Sequence, residues 1–329
     1  MTHLSDSITI RNLTLPNRLV MPPMATAKAD ENGYATDAVC EYYRERAKYS
    51  KIGLIITEHS YIHLQGKAHP GQTSIASDDV IPSLHRLTDC IHQEGVKVFA
   101  QLSHAGSAAL SKTTGQPPVG PSPIYHPKQR EELPAEMTLQ QIRQVTEWFA
   151  QAALRAKQAG FDGVELHSAH GYLLNQFFSP LANQRTDAYG PQYGPQSVEN
   201  RIRFHREVIR AVRQALGEDF PIALRLGGCD YEAGGSTVED CVEACRLLEH
   251  SGVDLLHLTG GMNGFIRPGH GEPGYFRDLS VPVKQAVHLP VLLTGGFTTP
   301  AQAETLLEEA CADLIGVGRA IFKNPHWAD

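Results

Sequence analysis

Eight short runs rich in aliphatic and β-branched residues recur along this chain, each followed by a segment with helical spacing. They are RLVMP (18–22), LIITEH (54–59), VKVFAQLS (96–103), GVELHS (163–168), IALRLG (222–227), LLHLTG (255–260), VLLTGG (291–296) and LIGVGR (314–319). Most start continuously apolar and end polar or in glycine, as a strand covered on both faces of a parallel sheet does. In 138–160, Leu139, Ile142, Val145, Phe149, Ala152 and Ala156 fall every three or four residues, one face of a helix. Thr138 with Gln141 predicts a capping box there, and Gly160 a C-terminal stop. Segments 37–50, 79–94, 197–216, 237–251 and 299–310 carry the same period, and 279–289 carries it most faintly. Eight βα units predict an α/β fold, a single (β/α)8 TIM barrel, over a doubly wound sheet. Ahead of the first run, SITIRNLTLPNR (7–18) alternates with period two and predicts a short N-terminal β-hairpin that caps the barrel floor.

The length of 329 residues, 41% hydrophobic, is enough for one barrel, so residues 1–329 are expected to form a single domain. The 29 Lys and Arg against 36 Asp and Glu leave a net charge of −7, which argues against the basic face of a nucleic-acid binder. The polar start MTHLSDSITIRN has no apolar core of a secretory signal, and no stretch of about 18 apolar residues predicts a membrane span. The six cysteines form no CxxC, which argues against a zinc ribbon, an iron–sulfur cluster or a disulfide framework. A reduced, cytoplasmic setting is the expectation.

Polar residues gather at the strand ends, where barrel enzymes place their chemistry. The long connections 104–137 and 171–197 would lie at that face too. The fourth run ends in His167-Ser168-Ala169-His170-Gly171-Tyr172. Two imidazoles can hydrogen-bond a carbonyl oxygen and a phenol can give a proton, which suits reduction of carbonyl-conjugated substrates. Ordinary loop polarity is the alternative; a zinc pair lacks a third ligand at suitable spacing, so no metal site is expected. Arg225 sits inside an apolar strand, expensive unless it meets an anion or a polar ligand. Gln101 offers a donor and an acceptor to a pyrimidine-like edge. Either could instead make a structural hydrogen bond within the barrel. Gly295, Gly296 and Gly318 with Arg319, after the last two strands, stand where barrels bind phosphate, although such glycines also serve tight turns. A phosphate site, a pyrimidine edge and hydrogen-bonding groups around one planar ligand suit FMN.

The segments NRLVMPPMAT (17–26), QLSHAG (101–106), HSAHGYLLNQFFSPLANQRTDAYG (167–190), ENRIRF (199–204) and GVGRAIFKNP (316–325) resemble the Old Yellow Enzyme family of FMN-dependent ene-reductases. The resemblance runs from about residue 8 to the C-terminus. It is strongest to the bacterial thermophilic-type branch and to the barrel of dienoyl-CoA and 2-enoate reductases. It implies FMN as cofactor, NADH or NADPH as hydride donor and a small-molecule activated alkene as substrate. It implies that Pro23, Met24 and Ala25 lie against the flavin and that the backbone of His59 meets it. Gln101 then faces the pyrimidine, Arg225 the N1/O2 edge, and Gly295, Gly296, Gly318 and Arg319 the phosphate. The implied reaction is ping-pong. Hydride passes from the nicotinamide through flavin N5 to the β-carbon of a carbonyl- or nitro-conjugated alkene. His167 and His170 hold the activating oxygen and Tyr172 protonates the α-carbon.

The sequence departs from that pattern in places. Ala25 replaces a flavin-tuning cysteine or threonine, Ala27 replaces a capping tyrosine and suggests a roomier pocket, and 189–200 is longer than usual, as a lid or interface loop would be. Without a cysteine cluster, the flavin is expected to be reduced directly by the nicotinamide. A phosphate-binding lyase would need a Schiff-base lysine at a strand end, and none is present in the eight runs. A passive flavin binder would have no use for the His/Tyr trio. The substrate, the choice between NADH and NADPH and the oligomeric state, a homo-oligomer included, stay open.

Overall fold

The computed structural model describes residues 2–191 and 197–328. The eight runs form eight strands: β1 (Leu19–Met21), β2 (Leu54–Ile56), β3 (Lys97–Ser103), β4 (Gly163–Ser168), β5 (Ile222–Cys229), β6 (Leu255–Gly260), β7 (Val291–Thr294) and β8 (Leu314–Gly316). Each pairs in parallel with the next, and β8 pairs with β1, so the sheet closes on itself. Closure leaves the barrel no free edge, and the expected (β/α)8 barrel is present.

The principal helices are α1 (Asp37–Tyr49), α2 (Ile81–His92), α3 (Leu139–Gln158), α4 (Arg203–Leu216), α5 (Val238–Glu249), α6 (Arg277–Ala286), α7 (Pro300–Glu308) and α8 (Arg319–Lys323). In α3 the Thr138–Gln141 capping box forms as expected, worth about 1 kcal/mol to the helix start. Gly160 follows at φ +86°, the left-handed turn that ends the helix run. The expected single helix over 197–216 is instead two, Ser197–Arg201 and α4, broken at Ile202. Arg201 at the break is buried, donating to the Phe178 carbonyl and pairing with Asp240 at 2.9 Å. The faint period over 279–289 has its cause in Pro282, which removes one N–H from the ladder of α6.

The barrel interior is layered. Its floor is apolar: Val20, Leu54, Ile56, Phe99, Ala223, Leu255, Leu292 and Leu314 pack together. The expected hairpin, Ile8–Ile10 with Leu13–Leu15, closes this floor with Ile10 and Leu15 fully buried. Arg11 at its turn ties it to Asp254 below β6 at 2.8 Å. A larger cluster fills the space between strands and helices. Above the floor the interior becomes polar, and there the site lies.

The two long connections contain short regular elements. Residues 104–137 hold a short helix, Ser111–Thr114, and a pair of two-residue strands, Val119–Gly120 and Ala135–Glu136. Residues 171–197 hold the buried helix Leu173–Phe178. The extra loop expected at 189–200 lies, at 192–196, outside the described residues.

Candidate active site

A cavity of about 1000 Å³ opens at the C-terminal ends of the strands, and all thirteen residues expected at the site border it. Beyond the floor, the strand ends and their loops bring them together from seven of the eight βα units.

At the end of β4, His167 is buried, with Nδ1 3.4 Å from Ser103 Oγ and Nε2 3.4 Å from His170 Nδ1. His170 reaches Thr259 Oγ1 with its Nε2 at 3.1 Å. The chain turns there through φ +59° at His170 and +78° at Gly171, which is how two imidazoles three residues apart come to face one cavity. A Cβ on Gly171 would stand 2.5 Å from the His126 ring. The Tyr172 ring lies edge-on to His167 at 4.9 Å, and its hydroxyl is 3.3 Å from His59 Nε2. Burial, with the positive charge of Arg225 added, holds His167 and His170 well below the ordinary imidazole value. Both are therefore neutral at physiological pH, hydrogen-bonding rather than ionic groups. Burial pushes the Tyr172 phenol up to about 12, so it keeps its proton. The His59 ring is held at about 3 by burial, and its carbonyl accepts from Gln72 Nε2 at 3.0 Å.

Across the cavity, Arg225 on β5 is 6% exposed, its Nε is buried without a partner, and it makes no ion pair among the described residues. Gln101 on β3 donates through Nε2 to Glu165 Oε2 at 2.7 Å. Glu165 was not among the expected residues, and neither was His257, whose Nδ1 is 2.7 Å from Glu165 Oε1. Both are wholly buried. The signal that singled out Gln101 and Arg225, a polar residue inside an apolar strand, marks these two as well.

Gly295 and Gly296 follow β7 at φ +124° and +74°. A Cβ on Gly295 would come 2.9 Å from the Tyr275 ring, and one on Gly318 3.0 Å from Met24 Sδ. Backbone thus approaches the cavity where side chains cannot. Arg319 donates to the Tyr275 hydroxyl at 3.0 Å. Pro23, Met24 and Ala25 line the wall after β1. Ala27 does not border the cavity, and its carbonyl packs where a Cβ on Gly71 would come within 2.6 Å. The loops add lining that no periodicity announces, including Lys128, Phe265, Ile266 and Tyr275. No helix of the described residues is long and apolar enough to cross a membrane.

A closed parallel barrel with its polar groups gathered at one mouth is the architecture of a barrel enzyme. Residues 3–329 match the model of the NADH:flavin oxidoreductase / NADH oxidase family, and the chain belongs to that family. An NADH oxidase of Thermoanaerobacter brockii is 38% identical over 336 residues, covering 99% of this chain and 50% of that protein. A structure of 2-naphthoyl-CoA reductase in complex with 2-naphthoyl-CoA matches with TM-score 0.91 at 29% identity, over 98% of this chain and 51% of that one. An Old Yellow Enzyme homologue from Zymomonas mobilis matches with TM-score 0.84 at 28% identity, over 98% and 90%. The chain spans about half the length of the curated relatives it matches.

FMN and a nicotinamide hydride donor are the cofactors of this family. The residues present fit FMN. Arg225 is a buried cation with no ion pair and no acceptor for its Nε among the described residues, Gln101 is an oriented amide, and the glycines after β7 and β8 leave a backbone-lined cradle beside Arg319.

Proposed function

We propose that this barrel is the catalytic unit of an NAD(P)H-dependent ene-reductase acting on carbonyl- or nitro-conjugated alkenes. The observation that carries the reading is the meeting of His167, His170 and Tyr172 in the same cavity as the unpartnered Arg225. When bound, FMN supplies an acceptor for hydride from NADH or NADPH and a donor of hydride to the β-carbon of the alkene.

The chain's own groups do the rest. Gln101 and Arg225 hold the pyrimidine end, and Arg225 stabilises negative charge gained there. Gly295, Gly296, Gly318 and Arg319 hold the phosphate. Pro23, Met24, Ala25 and His59 complete the wall around the ring system. His167 and His170, kept neutral, point N–H groups at the substrate's carbonyl or nitro oxygen as charge develops on it. A donor of this kind is worth about 10²–10³ in rate. Tyr172 delivers its hydroxyl proton to the α-carbon. Both reactants occupy one cavity in turn, which makes the kinetics ping-pong.

A second reading takes an enoyl- or aryl-CoA thioester as acceptor. The likeness to 2-naphthoyl-CoA reductase, together with an apolar lip where Phe265 and Ile266 are about half exposed, favours it. The test is anaerobic stopped-flow. The purified protein is yellow, NADH or NADPH bleaches its flavin band, and 2-cyclohexenone or an enoyl-CoA restores it. A colourless protein that takes up no FMN refutes the reading. A flavin that NAD(P)H bleaches but no activated alkene reoxidises refutes the ene-reductase part alone.

A further inference from the structure

Gln101 and Glu165 stand opposite each other in register on β3 and β4, and β5 carries Arg225 in register with His257 on β6. Ala223, the β5 residue in register with Glu165, is small, so the carboxylate has room to reach over β5 to His257. Its two oxygens are divided: Oε2 accepts from Gln101 Nε2 and Oε1 faces His257 Nδ1, each at 2.7 Å. A carboxylate oxygen takes only donors. Gln101 therefore cannot turn its amide over without setting oxygen against oxygen, and His257 carries its proton on Nδ1. That leaves His257 Nε2 a buried acceptor without a partner, on the strand next to that of Arg225, whose Nε is a buried donor without one. A fully buried carboxylate is expensive and is expected only where its position matters.

We propose that Glu165, clamped by His257, is a positioning residue. It fixes Gln101 with its amide oxygen free for a ligand donor, and it sets a negative charge opposing Arg225 at the pyrimidine end of the flavin site. This rests on the flavin reading above. Glu165 touches neither cofactor nor substrate and acts through Gln101 and Arg225.

Two consequences are measurable. Orientation is tested with a double-mutant cycle of FMN dissociation constants by fluorescence quenching on wild type, Glu165→Leu, Gln101→Leu and the pair. Glu165→Leu weakens FMN at least tenfold in the wild-type background and less than twofold once Gln101 is leucine. Charge is tested by Glu165→Gln, which keeps an acceptor toward Gln101 but loses the negative charge. Reduction adds negative charge to the bound flavin, so this variant favours the reduced form about tenfold, a rise of about 30 mV for a two-electron couple, with FMN affinity held within threefold. A role confined to packing lowers the melting temperature without moving the potential. If Glu165→Leu does not fold, the potential of Glu165→Gln decides. Losses that multiply across the cycle, or a potential that stays in place, overturn the proposal while leaving the flavin reading intact. A wild-type protein that takes no FMN overturns both.

Discussion

Replacing Arg225 by methionine separates what the fold wants from what the site wants. Arg225 is 6% exposed and without an ion pair among the described residues, and burial holds its guanidinium down at about 10 despite the opposing charge of Glu165. That lies well below the ordinary arginine value and disfavours the charged form in the folded chain by about 3 kcal/mol, at about 1.4 kcal/mol for each factor of ten. The sign follows from the direction. The folded value is depressed, so the penalty is fully present below about 10 and fades as pH rises from there toward the unfolded value. Methionine matches the stem's apolar character and carries no charge, and apolar replacements of uncompensated buried ions are commonly stabilising. The flavin-free Arg225→Met protein is therefore expected to be more stable than wild type at pH 7 by up to about 3 kcal/mol. With an m-value of about 3 kcal/mol/M, its urea midpoint rises by about 1 M. The gap narrows as the buffer goes from pH 8 to 11. With FMN added the order reverses: a ligand at 1,000 times its dissociation constant adds about 4 kcal/mol to wild type, and the variant loses most of that gain. Urea melts followed by tryptophan fluorescence, with and without FMN, give all four values. A flavin-free variant no more stable than wild type would refute the claim that burying Arg225 without an ion pair costs the fold stability.

Other outcomes follow from the same geometry. Tyr172→Phe slows reoxidation of the reduced protein by 2-cyclohexenone about 10²–10⁴-fold and leaves reduction by NAD(P)H within twofold; equal losses in both half-reactions, read by stopped-flow, exclude the proton-donor role. Because burial keeps His167 and His170 neutral, the reoxidation rate is flat between pH 5.5 and about 8, where a free imidazole titrates; a sigmoid centred near 6.5 contradicts this. His59, His104 and His205 are each held at about 3, so the unfolded chain binds protons the folded one refuses, and the melting temperature is highest above about 6.5 and falls as pH drops from there toward 3. Gly295→Ala puts a methyl 2.9 Å from the Tyr275 ring at φ +124°, and FMN affinity measured by fluorescence drops at least tenfold.

The barrel was legible because its strands are apolar on both faces and its helices are not. Each change of period marks a boundary, and the Thr138–Gln141 box marks one to the residue. Ile202 was not legible as a break, since the spacing of apolar residues continues across it while buried Arg201 takes its own partners. At the site, Gln101 and Arg225 stood out as polar residues in apolar runs. Glu165 and His257 carry the same mark, yet their meaning lies in partners on other strands, which one strand's pattern does not show. Lys128, Phe265 and Tyr275 come from loops that have no period to read.

The hairpin floor also governs traffic. With Ile10 and Leu15 packed into the apolar floor, the barrel is closed at one end, and the cavity is reached from the side of the strand C-termini. In the proposed ene-reduction, a spent nicotinamide would obstruct the incoming alkene, and an alkene that arrives early would obstruct the nicotinamide. Each reactant is then the other's competitor, so turnover at fixed concentration of one passes through a maximum and declines as the other is raised. On that reading, the floor that closes the barrel would also set how closely two reactant pools must be matched for turnover at full speed.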